Sequence, residues 1–75
     1  MHISMPGGKT LKEGVVVEAF KGGLFRVKLD EEESEVHAYL SGKMRLHYIK
    51  VLVGDRVRIE FSEYDKERGR IIQRL

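Results

Sequence analysis

The stretch GVVVEAFKGGLFRVKLD, residues 14–30, decides how the rest of the chain is read. Apolar and polar residues alternate on both sides of Lys21-Gly22-Gly23, and a period of two belongs to a strand whose successive side chains leave opposite faces. The two glycines supply the backbone freedom of a tight reversal, so 14–20 and 24–30 are expected to pair as a hairpin. Phe25, Val27 and Leu29 then share an oily face, and Arg26 and Lys28 point the other way.

The same alternation continues outward from this hairpin. After an acidic turn at Glu31–Glu33, SEVHAYL (34–40) places Val36, Ala38 and Leu40 inward and Glu35, His37 and Tyr39 outward, giving a three-stranded meander. Further on, DRVRIEFSE (55–63) turns Val57, Ile59 and Phe61 inward, and GRIIQR (69–74) makes a shorter fifth strand. Between them, SGKMRLHYIKVLVG (41–54) changes period. Leu40, Met44 and Tyr48 recur every fourth residue, Ser41 can cap the start and Gly54 can end the segment. A short helix is expected there, with Met44 and Tyr48 packed beneath it. Three meander strands, a helical connector and two more strands are the element order of an all-β, five-stranded OB-fold barrel.

Residues 1–12, MHISMPGGKTLK, show no periodicity and hold the only proline, so they are expected to form a mobile leader ahead of one domain at 13–75. A 75-residue chain leaves no room for a second core, and with no cysteine it has neither disulfides nor thiolate zinc sites. His2, His37 and His47 lack metal-ligand spacing, and no metal or cofactor is expected. There is no apolar run of membrane-spanning length and no signal peptide, which predicts a cytoplasmic protein without a membrane partner.

The formal charge of +2 conceals an asymmetry. Five of the 12 acids, Asp30, Glu31, Glu32, Glu33 and Glu35, fall in one six-residue stretch, a solvated hairpin tip without the spaced ligands of a calcium loop. The remaining surface is strongly basic and suits a polyanion, of which nucleic acid is the usual one. Catalysis finds no support. His37 has no nearby serine or cysteine to activate, and Ser41-Gly42-Lys43 lacks the rest of a nucleotide phosphate loop.

At this point LFRVKL, AYLSGKMRLHYIKVLVGDRVRIE and YDKERGRI resemble the core signature of bacterial translation initiation factor 1, a likeness that covers residues 14–74. The resemblance implies an OB barrel that occupies the aminoacyl-tRNA site of the small ribosomal subunit and acts with initiation factors 2 and 3. It also implies a monomer that makes and breaks no bond. The segment around the short helix would approach the decoding helix of ribosomal RNA, and Arg45 and Lys50 match positions credited with holding two unpaired adenines outside the stack. The chain departs from the family pattern in several loops. Lys21-Gly22-Gly23 replaces a Pro-Asn turn, Tyr39 stands where many members have His, and Lys50 where many have Arg, a loss of the flat guanidinium that stacks on bases.

RNA binding needs cations for phosphates and flat groups for unstacked bases. Lys43, Arg45, His47 and Lys50 around the helix form the first expected contact surface, extended by Arg68, Arg70 and Arg74, which bracket the last strand, and by Tyr39 and Arg26 on the barrel. Arg26 and Lys28 would join Arg56 and Arg58 in a basic face unless Glu18, Glu35 and Glu60 interleave. The alternative reading is a single-strand RNA chaperone of cold-shock type, but Tyr39 is the one clear outward strand aromatic. A protein-binding adaptor would need an exposed apolar patch, and nearly every apolar residue already has a place in the barrel pattern.

Overall fold

The computed structural model describes residues 10–75, apart from the side chain of Lys66. The elements follow as β1 (Thr10–Ala19), β2 (Leu24–Leu29), β3 (Glu35–Leu40), α1 (Gly42–Leu46), β4 (Arg56–Ser62) and β5 (Asp65–Arg74). The strands close into a barrel in the order β1-β2-β3-β5-β4, the expected OB-fold arrangement. β3 and β5 run parallel, and every other pair is antiparallel.

Two strands begin earlier than alternation indicates. Of the stretch expected as leader, residues 1–9 lie outside the described residues, whereas Thr10, Leu11 and Lys12 pair with Phe61, Glu60 and Ile59 of β4. β1 thus serves β4 with its first half and β2 with its second, and this backbone pairing leaves no period in the sequence. β5 likewise starts at Asp65, which pairs with Ser62 across the turn before the register shifts and pairing resumes at Phe61 and Gly69.

Of the predicted inward sets, Val27, Ala38, Val57 and Ile59 are almost inaccessible; Val16 of β1 and Ile71 of β5 join them, and Met44 of α1 is buried with them. The alternation breaks in the β4–β5 pairing and in β1, and the break in β1 redirects an aromatic side chain. The β1–β2 register shifts between Val16 and Glu18, so Val17 is extra and everything beyond it changes face. Phe20 therefore leaves the core side and lies outside against Arg26 and His37, with its ring centroid 5.5 Å from the guanidinium and 6.2 Å from the imidazole.

Closure leaves no space at Gly69 of β5. A Cβ there would lie 2.2 Å from Ile59 Cγ2 and 3.0 Å from a Phe61 ring carbon. Gly69→Ala is expected to destabilise the barrel by about 1–3 kcal/mol through overpacking, read as a lower urea midpoint at unchanged slope.

Strand direction sorts the loops between the two ends of the barrel. The Lys21–Gly23 turn, α1, the connector 47–55 and the chain after Arg74 share one end. The acidic tip after Leu29 and the Glu63-Tyr64 turn lie at the other.

Candidate nucleic-acid interface

A helix as short as α1 cannot persist alone, and three features hold it in place. The Met44 side chain is 1% exposed, the Ser41 hydroxyl accepts the Met44 N–H at 3.2 Å, and the Ser41 N–H donates to the Ile71 carbonyl at 2.9 Å. The first two are the expected core contact and cap; the third seats the helix on β5.

The helix ends well before Gly54. The Tyr48 N–H donates to Arg45 O at 3.2 Å and the Ile49 N–H to Met44 O at 3.0 Å, the paired bonds of a Schellman terminus. Such a terminus needs a left-handed residue, and Tyr48 fills that place with φ +54°. Its side chain swings away from the core and is 91% exposed, so the expected burial holds for Met44 and fails for Tyr48. Gly54, at φ +97°, instead turns the connector back onto β1, donating to Val16 O at 2.8 Å.

Glycine is the residue this terminus favours, and the exposed tyrosine ring has little packing to lose. Tyr48→Gly is therefore expected to stabilise the protein by about 0.5–1 kcal/mol, the left-handed cost relieved less glycine's larger unfolded-state entropy. Thermal unfolding should show a midpoint higher by several degrees, at about 4–8 °C per kcal/mol for a domain of this size.

Lys43 and Arg45 project from α1 and His47 closes it, all exposed. Arg45 Nη2 donates to Gly22 O at 3.3 Å, which ties the helix to the β1–β2 turn. Arg74 Nη1 donates to Lys50 O at 2.9 Å, bringing the last strand to the connector. Lys43, Arg45, His47, Lys50 and Arg74 are thus gathered at one end of the barrel. Among the described residues, neither Lys43 nor Lys50 has an acidic partner.

The other candidates lie on the barrel's side. Outward positions form two rows, Arg26 beside His37 beside Arg68, and Tyr39 beside Arg70 beside Glu60. A shallow cleft of about 360 Å³ runs between Tyr39, Arg68, Arg70 and Gly42 and connects this side to α1. Arg68 is within 3.9 Å of Asp65, and Arg26 is engaged by Glu18 at 2.9 Å and Glu35 at 3.9 Å.

A continuous basic barrel face does not form. β1 stands between β2 and β4, which separates Arg26 and Lys28 from Arg56 and Arg58. Arg58 pairs with Glu13 at 2.9 Å, and Arg56 pairs with Asp30 and, at 3.7 Å, with Glu13. The Asp30 hydrogen bond and charge raise the Arg56 pKa above its ordinary value. Exposed pairs of this kind are screened by solvent and add little to stability, so their main effect is local neutralisation. At the α1 end, by contrast, Lys43, Arg45, Lys50 and Arg74 have no acidic partner among the described residues.

Two further features do not show in the alternation of the sequence. Phe20 adds an outward aromatic beside Arg26 and His37, visible only once the β1 bulge is known. Leu46, Leu52 and Val53 are exposed by 72%, 53% and 60%, so the connector carries apolar residues that have no place in the barrel. Among the described residues, no cluster of His, Asp or Glu is arranged to hold a metal, and no helix is long and apolar enough to cross a membrane.

Comparison with known proteins gives a consistent result. The family model "Translation initiation factor 1A / IF-1" matches residues 2–75. The chloroplastic translation initiation factor IF-1 of Buxus microphylla is 51% identical over 67 residues, covering 89% of this chain and 86% of that protein. That of Dioscorea elephantipes is 49% identical over the same coverage. Among solved structures, the translation initiation factor 1 of the Wolbachia endosymbiont of Brugia malayi superposes with a TM-score of 0.75 at 43% identity, over 91% of this chain and 79% of that one. YjeQ from Thermotoga maritima matches at a TM-score of 0.70 and 30% identity, over 88% of this chain but 23% of its own. The signature around α1, the closed barrel and these relatives agree: this chain belongs to the translation initiation factor 1A / IF-1 family, whose members are non-enzymatic factors of protein synthesis.

Proposed function

We propose that this chain binds the decoding site of the small ribosomal subunit through the α1 end of its barrel, fills the aminoacyl-tRNA site against premature tRNA entry, and assists initiation factors 2 and 3. The observation that carries this reading is the gathering of Lys43, Arg45, Lys50 and Arg74 at one end, while the arginines of the β1–β4 face are paired with acids. Unpaired cations release counterions from RNA without first giving up a protein partner. Tyr48 stands beside them as a flat, solvent-facing ring, the kind of group on which an unstacked base rests. Arg70, Arg68 and Tyr39 would continue the contact along the cleft below α1. The acidic tip at the far end keeps that surface off the RNA. The protein acts as a monomer in the compartment that holds the ribosomes.

The test is binding to vacant small subunits against binding to unstructured RNA of equal length, followed by competition with a small molecule that occupies the decoding helix. Tight, competitor-sensitive binding to subunits is expected. Equal or better binding to unstructured RNA would overturn the reading in favour of a single-strand chaperone, which would draw on the outward Phe20 and Tyr39 rings.

A further inference from the structure

In the sequence the β1–β2 turn reads only as a reversal, yet in the fold it lies against the proposed interface. Arg45 reaches across from α1 and donates to Gly22 O at 3.3 Å. A Cβ on Gly23 would come within 3.0 Å of the same guanidinium. Lys21, next in the chain to the carbonyl that holds Arg45, is therefore placed by the fold beside the helix cations, although 22 positions in sequence (43 − 21) separate it from Lys43.

We propose that Lys21 is a phosphate-binding residue, and that the turn and α1 together grip one segment of an RNA backbone from two sides. The proposal rests on the reading of the α1 end as the RNA-binding end and extends it to a second element. Three observations support it. Lys21 is exposed and, among the described residues, has no acidic partner, whereas Lys12 is held by Glu32 at 2.5 Å and Arg26 by Glu18 at 2.9 Å. Gly22 and Gly23 sit at φ +81° and +78°, and the space a Cβ of Gly22 would occupy is empty to 4 Å. A phosphate can thus approach the turn's backbone without meeting a side chain. Finally, Arg45 commits one hydrogen bond to Gly22 O, which fixes its plane while the rest of its fork stays available to a phosphate oxygen.

The chemistry recognised is a phosphodiester backbone, without base preference, because a lysine and a bare glycine turn carry no donor pattern that distinguishes bases. Lys21 would add affinity and fix register, leaving base contacts to the connector.

The experiment measures affinity for vacant small subunits between about 50 and 200 mM salt. The variants are Lys21→Ala, Lys21→Arg, and Lys28→Ala as a control that removes the same charge toward the acidic end. Lys21→Ala should lower affinity about fivefold near 0.15 M salt and reduce the log–log salt slope by about 0.7–0.9, the share of one released counterion. Lys21→Arg should restore both, and Lys28→Ala should leave the slope unchanged. If Lys21→Ala and Lys28→Ala behave alike while removal of Lys43, Arg45 and Lys50 weakens binding, the turn is not a contact and the inference falls alone. If none of these variants alters the slope, the reading of the α1 end falls as well. A urea unfolding curve for each variant separates a lost contact from a lost fold.

Discussion

Replacing Lys43, Arg45 and Lys50 together by alanine is expected to weaken binding to the small ribosomal subunit about a hundredfold near 0.15 M salt. Each lost phosphate contact removes about 0.7–0.9 from the salt slope and contributes roughly a factor of five at that ionic strength. Three contacts therefore multiply to about two orders of magnitude, with a slope lower by roughly 2–2.7. All three residues are exposed, none packs in the core, and the hydrogen bond lost from Arg45 to Gly22 O is itself exposed, so the urea midpoint of the triple variant should lie close to that of the parent. The combination of unchanged stability and a flattened salt response is specific to electrostatic contact. A drop in affinity with the slope intact would instead place the interface on another surface.

Met44→Ala should have the opposite signature. Met44 is among the largest fully buried side chains, and truncating such a residue costs about 2–5 kcal/mol in transfer energy and cavity. A domain of this size has a total stability of about 4–11 kcal/mol, so roughly half is at stake. The urea midpoint should fall by about 2 M or more, given slopes near 1 kcal/mol per molar for small domains. The α1 helix depends on that side chain for its seat on the barrel, so subunit affinity should fall too. At low temperature, where the folded fraction is restored, the salt slope should recover toward the parent value. The triple variant's slope would not recover under those conditions.

Much of the barrel is legible in the sequence because a closed sheet forces each residue to face either the core or solvent. Phe25, Val27 and Leu29, and again Val57, Ile59 and Phe61, announce that choice by alternation, and all six are buried. What alternation does not show is where the backbone departs from it. The extra residue at Val17 turns Phe20 outward, and the Schellman bonds to the Arg45 and Met44 carbonyls turn Tyr48 out of the helix. Both depend on which N–H meets which carbonyl, a property of the assembled chain.

Charge behaves the same way. The cations around α1 are close in sequence and legible together, but Arg74 and Lys21 join them only because strand direction brings the last strand and the first turn to that end. Conversely, Arg56 and Arg58 look available until the register sets Asp30 and Glu13 against them. Compositional excess locates the polyanion-binding character, and pairing decides which positive groups remain to express it.

Placing unpaired cations at one pole and Asp30 to Glu33 at the other makes the molecule an electric dipole, with a consequence for how it arrives. In the field of a polyanion a dipole feels a torque, and the body rotates before it touches. Its longest dimension is 33 Å. At ~0.01 M ionic strength the Debye length is ~30 Å, so the whole body senses the field and is pre-aligned on approach. At ~0.15 M that length shrinks to ~8 Å, and only the nearest loop is steered, so most misdirected encounters must be rejected by collision with the carboxylate pole. Added salt should therefore slow capture more than it hastens release.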